Sequence, residues 1–277
     1  MNDSPQTPPE VLWVRGGTRQ KLIYGGSALR VLLRSKQVSA RARNQSTLGA
    51  RHCLVLHGWS LSERDVGDLT QALSQIDGAQ EWNFWDISYD TQWTSFPDSA
   101  QRIAQTLQKT GADFSDTILV GYSMGGLVAR QMVADGWPCR ALVSLCSPHH
   151  GPRRFLPPIG HGPRSLMQGN QLLHTLDANP RDLSMRSRYH FFAVTYDDRL
   201  GHHEHDGIVA RSSALGMNLE GIAHRHTMAL HYKSIAAFDA HWRGKDPRFV
   251  RPVLERMSRL FSDSQFEGKH EGTANET

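Results

Sequence analysis

One run of the sequence has residue types and spacing that could support nucleophilic chemistry. Residues 117–130 read TILVGYSMGGLVAR: a short apolar run ends in the pattern G-x-S-x-G and continues with helical spacing. This order predicts a strand, a sharp turn and a helix, with Ser123 on the turn. Gly121 and Gly125 would relieve crowding where the strand and the helix approach each other. Ser123 is therefore the candidate nucleophile, because a serine hydroxyl lifted clear of a sheet can attack a carbonyl once a base takes its proton.

Such a serine needs a general base within hydrogen-bond reach and an acid that orients the base. When the serine lies on a strand-turn-helix elbow, the acid and then the histidine follow it along the chain. Asp206, in the run HDGIV, is the preferred acid because it follows a predicted strand by a loop and precedes a glycine that lets the backbone turn. Asp197 and Asp198, directly after the predicted strand, are the alternatives.

The sequence offers 15 histidines, so position has to decide among them. His226 is the preferred base because it directly precedes a segment, about 227–242, that we predict to be a helix with an apolar face toward the core. His224 is the first alternative. His231 is the second, since it would fall inside that helix.

The negative oxygen of a tetrahedral intermediate needs two preorganised N–H donors. On this kind of elbow one donor is the backbone of the residue after the nucleophile, which is Met124. The other comes from the loop after the strand that ends at Leu56, and in the run His57-Gly58-Trp59 we assign it to Trp59.

These residues need a scaffold that brings them to one place. Short buried strands alternate with predicted helices of ten to fifteen residues, which is typical of an α/β fold with a mostly parallel central sheet and helices on both faces. The predicted strands are 51–56, 82–89, 117–120, 141–146 and 189–196. In such sheets a ligand binds beyond the carboxyl ends of the strands, where the serine and the H-G-W run would emerge. The proline-rich stretch 151–188 interrupts the alternation, and we interpret it as a lid or cap insertion.

The sequence divides into a basic N-terminal arm (1–48), a core (49–245) that includes the lid-like insertion, and a C-terminal part (246–277) with a basic helix and a polar tail. Between Val11 and Arg51 there are nine Lys or Arg residues and no acid. We interpret the arm as a solvated face packed on the sheet, with an anionic membrane surface as the alternative partner. Nucleic acid is not expected, because no groove-reading motif accompanies the charge. Residues 1–10 and the tail from Ser262 are predicted to be disordered.

The runs LVLHGW, GYSMGGLVAR, SLCSPHHG, HDGIV and HRHTMAL, in this order, resemble those of the α/β-hydrolase superfamily, and within it the bacterial lipases and related esterases. The resemblance covers about residues 50–242. It implies the α/β-hydrolase fold and a serine acylhydrolase activity. It also places Trp59 and Met124 in the oxyanion hole, Asp206 as the acid, and His226 as the best match to the family's histidine.

Length and composition limit the kinds of protein that this sequence can encode. The chain of 277 residues is long enough for one large domain, and no apolar run is long enough to cross a bilayer. The first residues lack the pattern of a secretory signal, and three cysteines among apolar residues argue against a disulfide framework, so we expect a cytoplasmic protein. We expect neither a cofactor nor a functional metal, since adjacent ligands such as those in His202-His203-Glu204-His205 rarely converge on one ion.

The sequence therefore predicts a serine hydrolase that cleaves carboxylic esters, a lipase or carboxylesterase, through Ser123, His226 and Asp206 and an acyl-enzyme intermediate. The expected substrate is a small-molecule or lipid ester. An acyltransferase would use the same residues. The other alternative is a non-catalytic module that binds a membrane surface through its basic arm.

Overall fold

The structure, a computed structural model, describes residues 12–14, 37–43, 51–153, 159–236 and 239–263. For 12–14 it gives the backbone alone. The predictions of disorder for residues 1–10 and for the tail beyond residue 263 lie outside the described residues, as do Phe155 and Leu156 of the insertion.

Within these ranges the chain forms a nine-stranded sheet in the order β1-β9-β7-β6-β5-β3-β4-β2, with β8 paired to β7. The strands are β1 (Leu12–Val14), β2 (Ser39–Ala42), β3 (Arg51–Leu56), β4 (Asn83–Ser88), β5 (Asp116–Tyr122), β6 (Ala141–Leu145), β7 (Tyr189–Asp198), β8 (Gly201–His203) and β9 (His224–Tyr232). The pairs β2–β4 and β7–β8 are antiparallel and the other pairs are parallel. The prediction of a mostly parallel α/β sheet is confirmed.

The described residues also form nine α-helices. They are α1 (Gly67–Leu73), α2 (Phe96–Gln108), α3 (Met124–Ala134), α4 (His161–Ser165), α5 (Gln171–Asp177), α6 (Pro180–Met185), α7 (Arg211–Ala214), α8 (Asp239–Arg243) and α9 (Arg251–Ser262). Short 3-10 helices lie at Glu63–Val66, Ala79–Glu81 and Arg186–Arg188.

The sheet separates two apolar layers, because strands buried on both faces send alternate side chains to opposite sides. On one face, Cys53 and Val55 of β3 pack with α1 and with Val253, Met257 and Phe261 of α9. On the other face, Leu54 and Leu56 pack with α2 and α3. The helix α9 thus packs on the core, although the sequence division placed it in a separate C-terminal part.

The described part of the N-terminal arm belongs to the sheet. β1 pairs with β9 at one edge and β2 pairs with β4 at the other. Arg43 forms an ion pair with Asp86 at 2.7 Å, and Arg51 lies 3.6 Å from Asp116. These contacts fit the interpretation of a face packed on the sheet. A membrane role for the arm stays a prediction.

The prediction of a helix over about 227–242 is wrong. Residues 224–232 form β9, which pairs with β7 from His190↔His224 to Asp197↔His231. Helix is described only for Asp239–Arg243, which form α8. This difference decides where the histidines lie.

Among the described residues, no helix is long and apolar enough to span a bilayer.

Candidate active site

Ser123 lies on the sharp turn between β5 and α3, as the sequence predicts. Its backbone has φ 55° and ψ −123°, a conformation that is costly for a residue with a side chain. A Cβ added to Gly121 would lie 2.4 Å from the backbone of Gly125, and one added to Gly125 would lie 2.3 Å from the carbonyl oxygen of Leu56. Both glycines are therefore required by the packing of this turn. The serine itself is half-buried, so its hydroxyl is within reach of a ligand.

A chain of two hydrogen bonds starts at the Ser123 hydroxyl. The Ser123 Oγ lies 3.1 Å from Nε2 of His241, and Nδ1 of His241 lies 2.7 Å from Oδ2 of Asp206. An ionised carboxylate only accepts hydrogen bonds, so Nδ1 carries the proton toward Asp206. Nε2 is then the acceptor for the serine proton. This is the geometry that a serine nucleophile, its base and an orienting acid require.

Asp206 is fixed by the turn that follows it. Its Oδ1 accepts hydrogen bonds from the backbone N–H groups of Ile208 at 2.9 Å and Val209 at 2.7 Å. The carboxylate is 1% exposed, so these bonds replace the water that it loses. The structure thus places the preferred acid beside a histidine. The alternatives lie elsewhere: Asp198 contacts His203, and Asp197 contacts His202 and His231.

His241 lies in the five-residue helix α8, beyond the carboxyl end of β9. It is 3% exposed. The hydroxyl of Tyr122 donates a hydrogen bond to its backbone carbonyl at 2.9 Å, and the two rings are 5.2 Å apart. The residue next to the nucleophile therefore also holds the histidine.

The structure does not bring His226 to Ser123, and this corrects the sequence-based choice of base. His226 is the third residue of β9 and pairs in register with Phe192 of β7. The strands β7 and β6 lie between β9 and β5, which leads into Ser123, and neighbouring strands are about 4.8 Å apart, so His226 is too far across the sheet to reach the serine. The His226 ring packs 5.8 Å from Phe192 and 6.1 Å from His224, and burial lowers its pKa.

The other two candidate histidines also belong to β9. His224 is the first residue of β9, and burial followed by the charge of Arg256 lowers its pKa. His231 is in β9 and lies 3.1 Å from Asp197.

His241 was missed because its segment was interpreted as part of one long helix. Yet Met228, Leu230 and Tyr232 are buried and alternate with half-buried residues, the period of a strand. Interpreting 224–232 as a strand would have moved the search for the base to the first histidine beyond its carboxyl end, which is His241.

Each proposed oxyanion residue is the chain neighbour of a residue at the nucleophile. Met124 is the first residue of α3 and directly follows Ser123. A Cβ added to Gly58 would lie 2.8 Å from Cβ and 3.4 Å from Oγ of Ser123, so the turn that carries Trp59 passes close to the serine. The Tyr89 ring stacks on the His57 ring, and its hydroxyl donates a hydrogen bond to the carbonyl oxygen of His57. These contacts hold the turn that carries Trp59.

The loop around Trp59 connects to the lid-like insertion. The indole N–H of Trp59 donates to the side chain of Gln92 at 2.9 Å, and Gln92 donates to the carbonyl of Ile159. Ile159 is 62% exposed and Trp93 38%. Leu166 of the insertion is buried in the core against the α2–α3 layer. Whether the insertion moves as a lid stays a prediction.

A buried charged cluster supports the insertion from the side of α3. Asp182 of α6 is fully buried and accepts hydrogen bonds from Arg130 at 2.7 Å, Arg186 at 2.9 Å and Tyr189 at 3.1 Å. Burial acts against the charge of Arg130, but the hydrogen bond to Asp182 and the negative charges of Asp182 and Asp177 together outweigh it, so the pKa of this arginine is raised. The cluster joins α3, which begins at the nucleophile, to the insertion.

One group in the described part of the chain combines three ligand types suited to a metal ion: Cys146, Asp206 and His241, whose ligand atoms lie within 4.8 Å of one another. Asp206 and His241 are already hydrogen-bonded to each other, which is the arrangement of a catalytic pair. In the His202–His205 loop the imidazoles of His202 and His203 form hydrogen bonds with neighbouring carboxylates, and that of His205 accepts the backbone N–H of Gly207.

Comparison with known proteins agrees with the fold. The family model for the alpha/beta hydrolase fold matches residues 87–200. The mature form of the Bacillus licheniformis lipase BlEst2 superposes with a TM-score of 0.56 at 15% identity, covering 81% of this chain and 99% of that chain. Its propeptide form gives a TM-score of 0.55 at 16% identity and covers 88% of this chain and 56% of that chain.

No curated protein matches the sequence. At these identities the structural likeness concerns the fold alone. Together with the family match, it confirms the predicted fold: the chain has the alpha/beta hydrolase fold.

Proposed function

We propose that this protein is a serine hydrolase that cleaves carboxylic esters through Ser123, His241 and Asp206. One observation supports the proposal above all: the continuous hydrogen-bond chain from the serine hydroxyl through the imidazole to a buried carboxylate. A serine is a weak nucleophile at its own pKa, and this chain supplies the base that it needs.

In the proposed mechanism Ser123 Oγ attacks the ester carbonyl carbon while Nε2 of His241 takes its proton. The carbonyl π electrons move to the oxygen, which becomes an oxyanion. The intermediate collapses, the bond to the alcohol oxygen breaks, and His241 returns the proton to the leaving alcohol. Water then attacks the acyl-enzyme by the same steps, giving the acid and free Ser123. Asp206 stays ionised and stabilises the imidazolium through Nδ1–H.

The oxyanion is assigned to the backbone N–H groups of Met124 and Trp59. Met124 opens α3, and the positive end of a helix favours a negative charge there. The close approach of Gly58 to Ser123 supports the choice of the neighbouring Trp59 as the second donor. Removing one such donor typically costs on the order of 100-fold to 1,000-fold in kcat.

The proposed substrate is an ester with an apolar acyl group, from a small molecule or a lipid. Support comes from two exposed apolar side chains, Trp93 and Ile159, near the hydrogen bond between Gln92 and the Ile159 carbonyl. Ser123 is half-buried, so its hydroxyl is within reach of an ester. The name lipase belongs to the Bacillus protein with the same fold. For this chain we propose a carboxylic ester hydrolase of lipase or carboxylesterase type.

The test combines a covalent probe with ester turnover. A fluorophosphonate probe should label the wild-type protein, and Ser123→Ala should abolish both labelling and p-nitrophenyl ester hydrolysis. Persistent labelling of Ser123→Ala would remove Ser123 from the mechanism. Rates over acyl chains from short to long then distinguish the two types: preference for short chains indicates a confined esterase pocket, and activity that rises at the solubility limit indicates a lipase.

A further inference from the structure

Cys146 lies immediately beyond the carboxyl end of β6, beside the acid and the base. It is fully buried, and its Sγ, one carboxylate oxygen of Asp206 and one ring nitrogen of His241 lie within 4.8 Å of one another. The mechanism above makes no use of this thiol. We propose that Cys146 is a positioning residue whose thiol donates a hydrogen bond to Asp206. This bond reduces the strength with which the negative charge of Asp206 stabilises a protonated His241. This inference rests on the proposed function.

The carboxylate of Asp206 has room for this donor. Its Oδ1 accepts two backbone N–H groups, and its Oδ2 accepts Nδ1 of His241. An ionised carboxylate offers about four acceptor positions, so one remains. At 1% exposure water cannot readily fill that position. A neighbouring S–H group is the donor at hand.

The thiol is in the protonated state that donation requires. Burial and then the negative charge of Asp206 raise the pKa of Cys146 well above its ordinary value. At neutral pH the group therefore keeps its proton. It adds no second negative charge beside the carboxylate and serves as a weak donor.

The backbone holds Cys146 in this position at some cost. Its φ is +52°, and only Ser60 and Ser123 share a positive φ among the described residues other than glycine. The Cys146 N–H donates to the carbonyl of Phe192 at 2.8 Å. A Cβ at Gly244 would lie 2.3 Å from the sulfur, so the chain after His241 packs directly on the thiol. Strain of this kind persists where the surroundings enforce it, as at an active site.

Other charged and titratable groups surround the pair. Tyr196 at the end of β7 and Arg153 at the start of the insertion interact with each other, and Tyr196 also interacts with Asp206. The other charged or titratable side chains near Asp206 and His241 lie on the elements packed around α8. They are Tyr122, Asp198, His205, Asp239, Arg243 and Lys245. All of these are common to the variants below, so a difference between the variants reports on position 146.

The test measures the rate of fluorophosphonate labelling of Ser123 against pH. Labelling falls at low pH because a protonated imidazole cannot act as the base. Without the thiol, the full charge of Asp206 stabilises the imidazolium more strongly, so the midpoint of the acid limb should move to higher pH. The expected shift in Cys146→Ala is about 0.5 pH unit, the size of a weak hydrogen bond. Cys146→Ser restores a donor and should return the midpoint to the wild-type value or below.

Two further variants keep the test decisive. Cys146→Gly also lacks the donor, and glycine adopts the positive φ without strain, so it replaces the alanine variant if that one fails to fold. Cys139→Ala removes another buried thiol, which donates to the carbonyl of Ala141 away from the site. It should lower the melting temperature without moving the midpoint.

The inference is overturned if the donor-free variants leave the midpoint in place or move it to lower pH, since a purely structural thiol would change only stability and the plateau rate. It is also overturned if the serine variant behaves like the alanine variant. Failure of the proposed function gives a different result, namely labelling that survives in Ser123→Ala.

Discussion

Tyr122 links the nucleophile to the base: its backbone continues into Ser123, and its hydroxyl donates to the backbone carbonyl of His241 at 2.9 Å. The helix that carries His241 has only five residues, so it gains little from its own hydrogen bonds. Contacts such as this one must therefore hold the imidazole at 3.1 Å from the serine oxygen.

Removing that hydroxyl should impair chemistry more than binding. In Tyr122→Phe the ring remains and the hydrogen bond is lost, so we expect kcat to fall about tenfold, corresponding to about 1.4 kcal/mol. KM should change little, because the hydroxyl is buried and bonded to the His241 carbonyl. Steady-state kinetics with a p-nitrophenyl ester measure both. Tyr189→Phe, which loses a buried hydroxyl hydrogen bond to Asp182, is the matched control and should lower stability with a smaller effect on kcat.

The choice of base is tested by two histidine variants. His241→Ala should reduce kcat by at least about 1,000-fold, because the serine loses its proton acceptor. His226→Ala should retain kcat within a few-fold of wild type, since its ring packs against Phe192 and the strands β7 and β6 separate it from Ser123. Probe labelling and ester turnover measure the difference. Equal losses in the two variants would contradict the assignment of His241.

These two histidines also show what the sequence can and cannot predict. Ser123 and Asp206 were found because local signals mark them: glycines around a strand-to-helix turn, and a D-G turn after a strand. The fold class followed from strands alternating with helices. His241 has no such local signal. Its approach to Ser123 depends on the pairing of β9 with β7 and on the path of the chain beyond Tyr232. Both are set by the tertiary structure and not by local sequence.

Gly58 should be indispensable for activity. A Cβ there would lie 2.8 Å from Cβ of Ser123, too close for unchanged positions. Gly58→Ala should therefore displace the serine or the proposed oxyanion turn and reduce kcat/KM about 100-fold or more, since displacements of about 1 Å at a reacting group cost this much. Gly67→Ala is the matched control: it is helical, and the only neighbour near its Cβ is the end of the Arg43 side chain. Activity of Gly58→Ala close to that of Gly67→Ala would contradict the arrangement.

The buried cluster around Asp182 should dominate the stability of the insertion. Asp182→Ala leaves Arg130 and Arg186 buried without this partner, and the expected loss is about 3–5 kcal/mol in the free energy of unfolding. Glu255→Ala removes an exposed pair with Arg251 and should cost no more than about 0.5 kcal/mol. Urea denaturation measures both. Similar midpoints for the two variants would show that the cluster contributes little.

His190 should make the protein less stable in acid. Burial and the charges of Arg256 and His224 lower the pKa of His190 from 6.5 to about 3, and its Nδ1 accepts a hydrogen bond from Arg256 at 3.1 Å. Because the folded pKa lies below the unfolded one, the unfolded chain binds a proton first as the pH falls, and stability is lost between pH 6.5 and 3. Between pH 7 and pH 5 this one group should cost about 2 kcal/mol. His190→Asn keeps an acceptor but does not titrate, so its unfolding free energy should fall by about 2 kcal/mol less than that of wild type over the same interval. Parallel losses in the two proteins would assign the acid sensitivity to other groups.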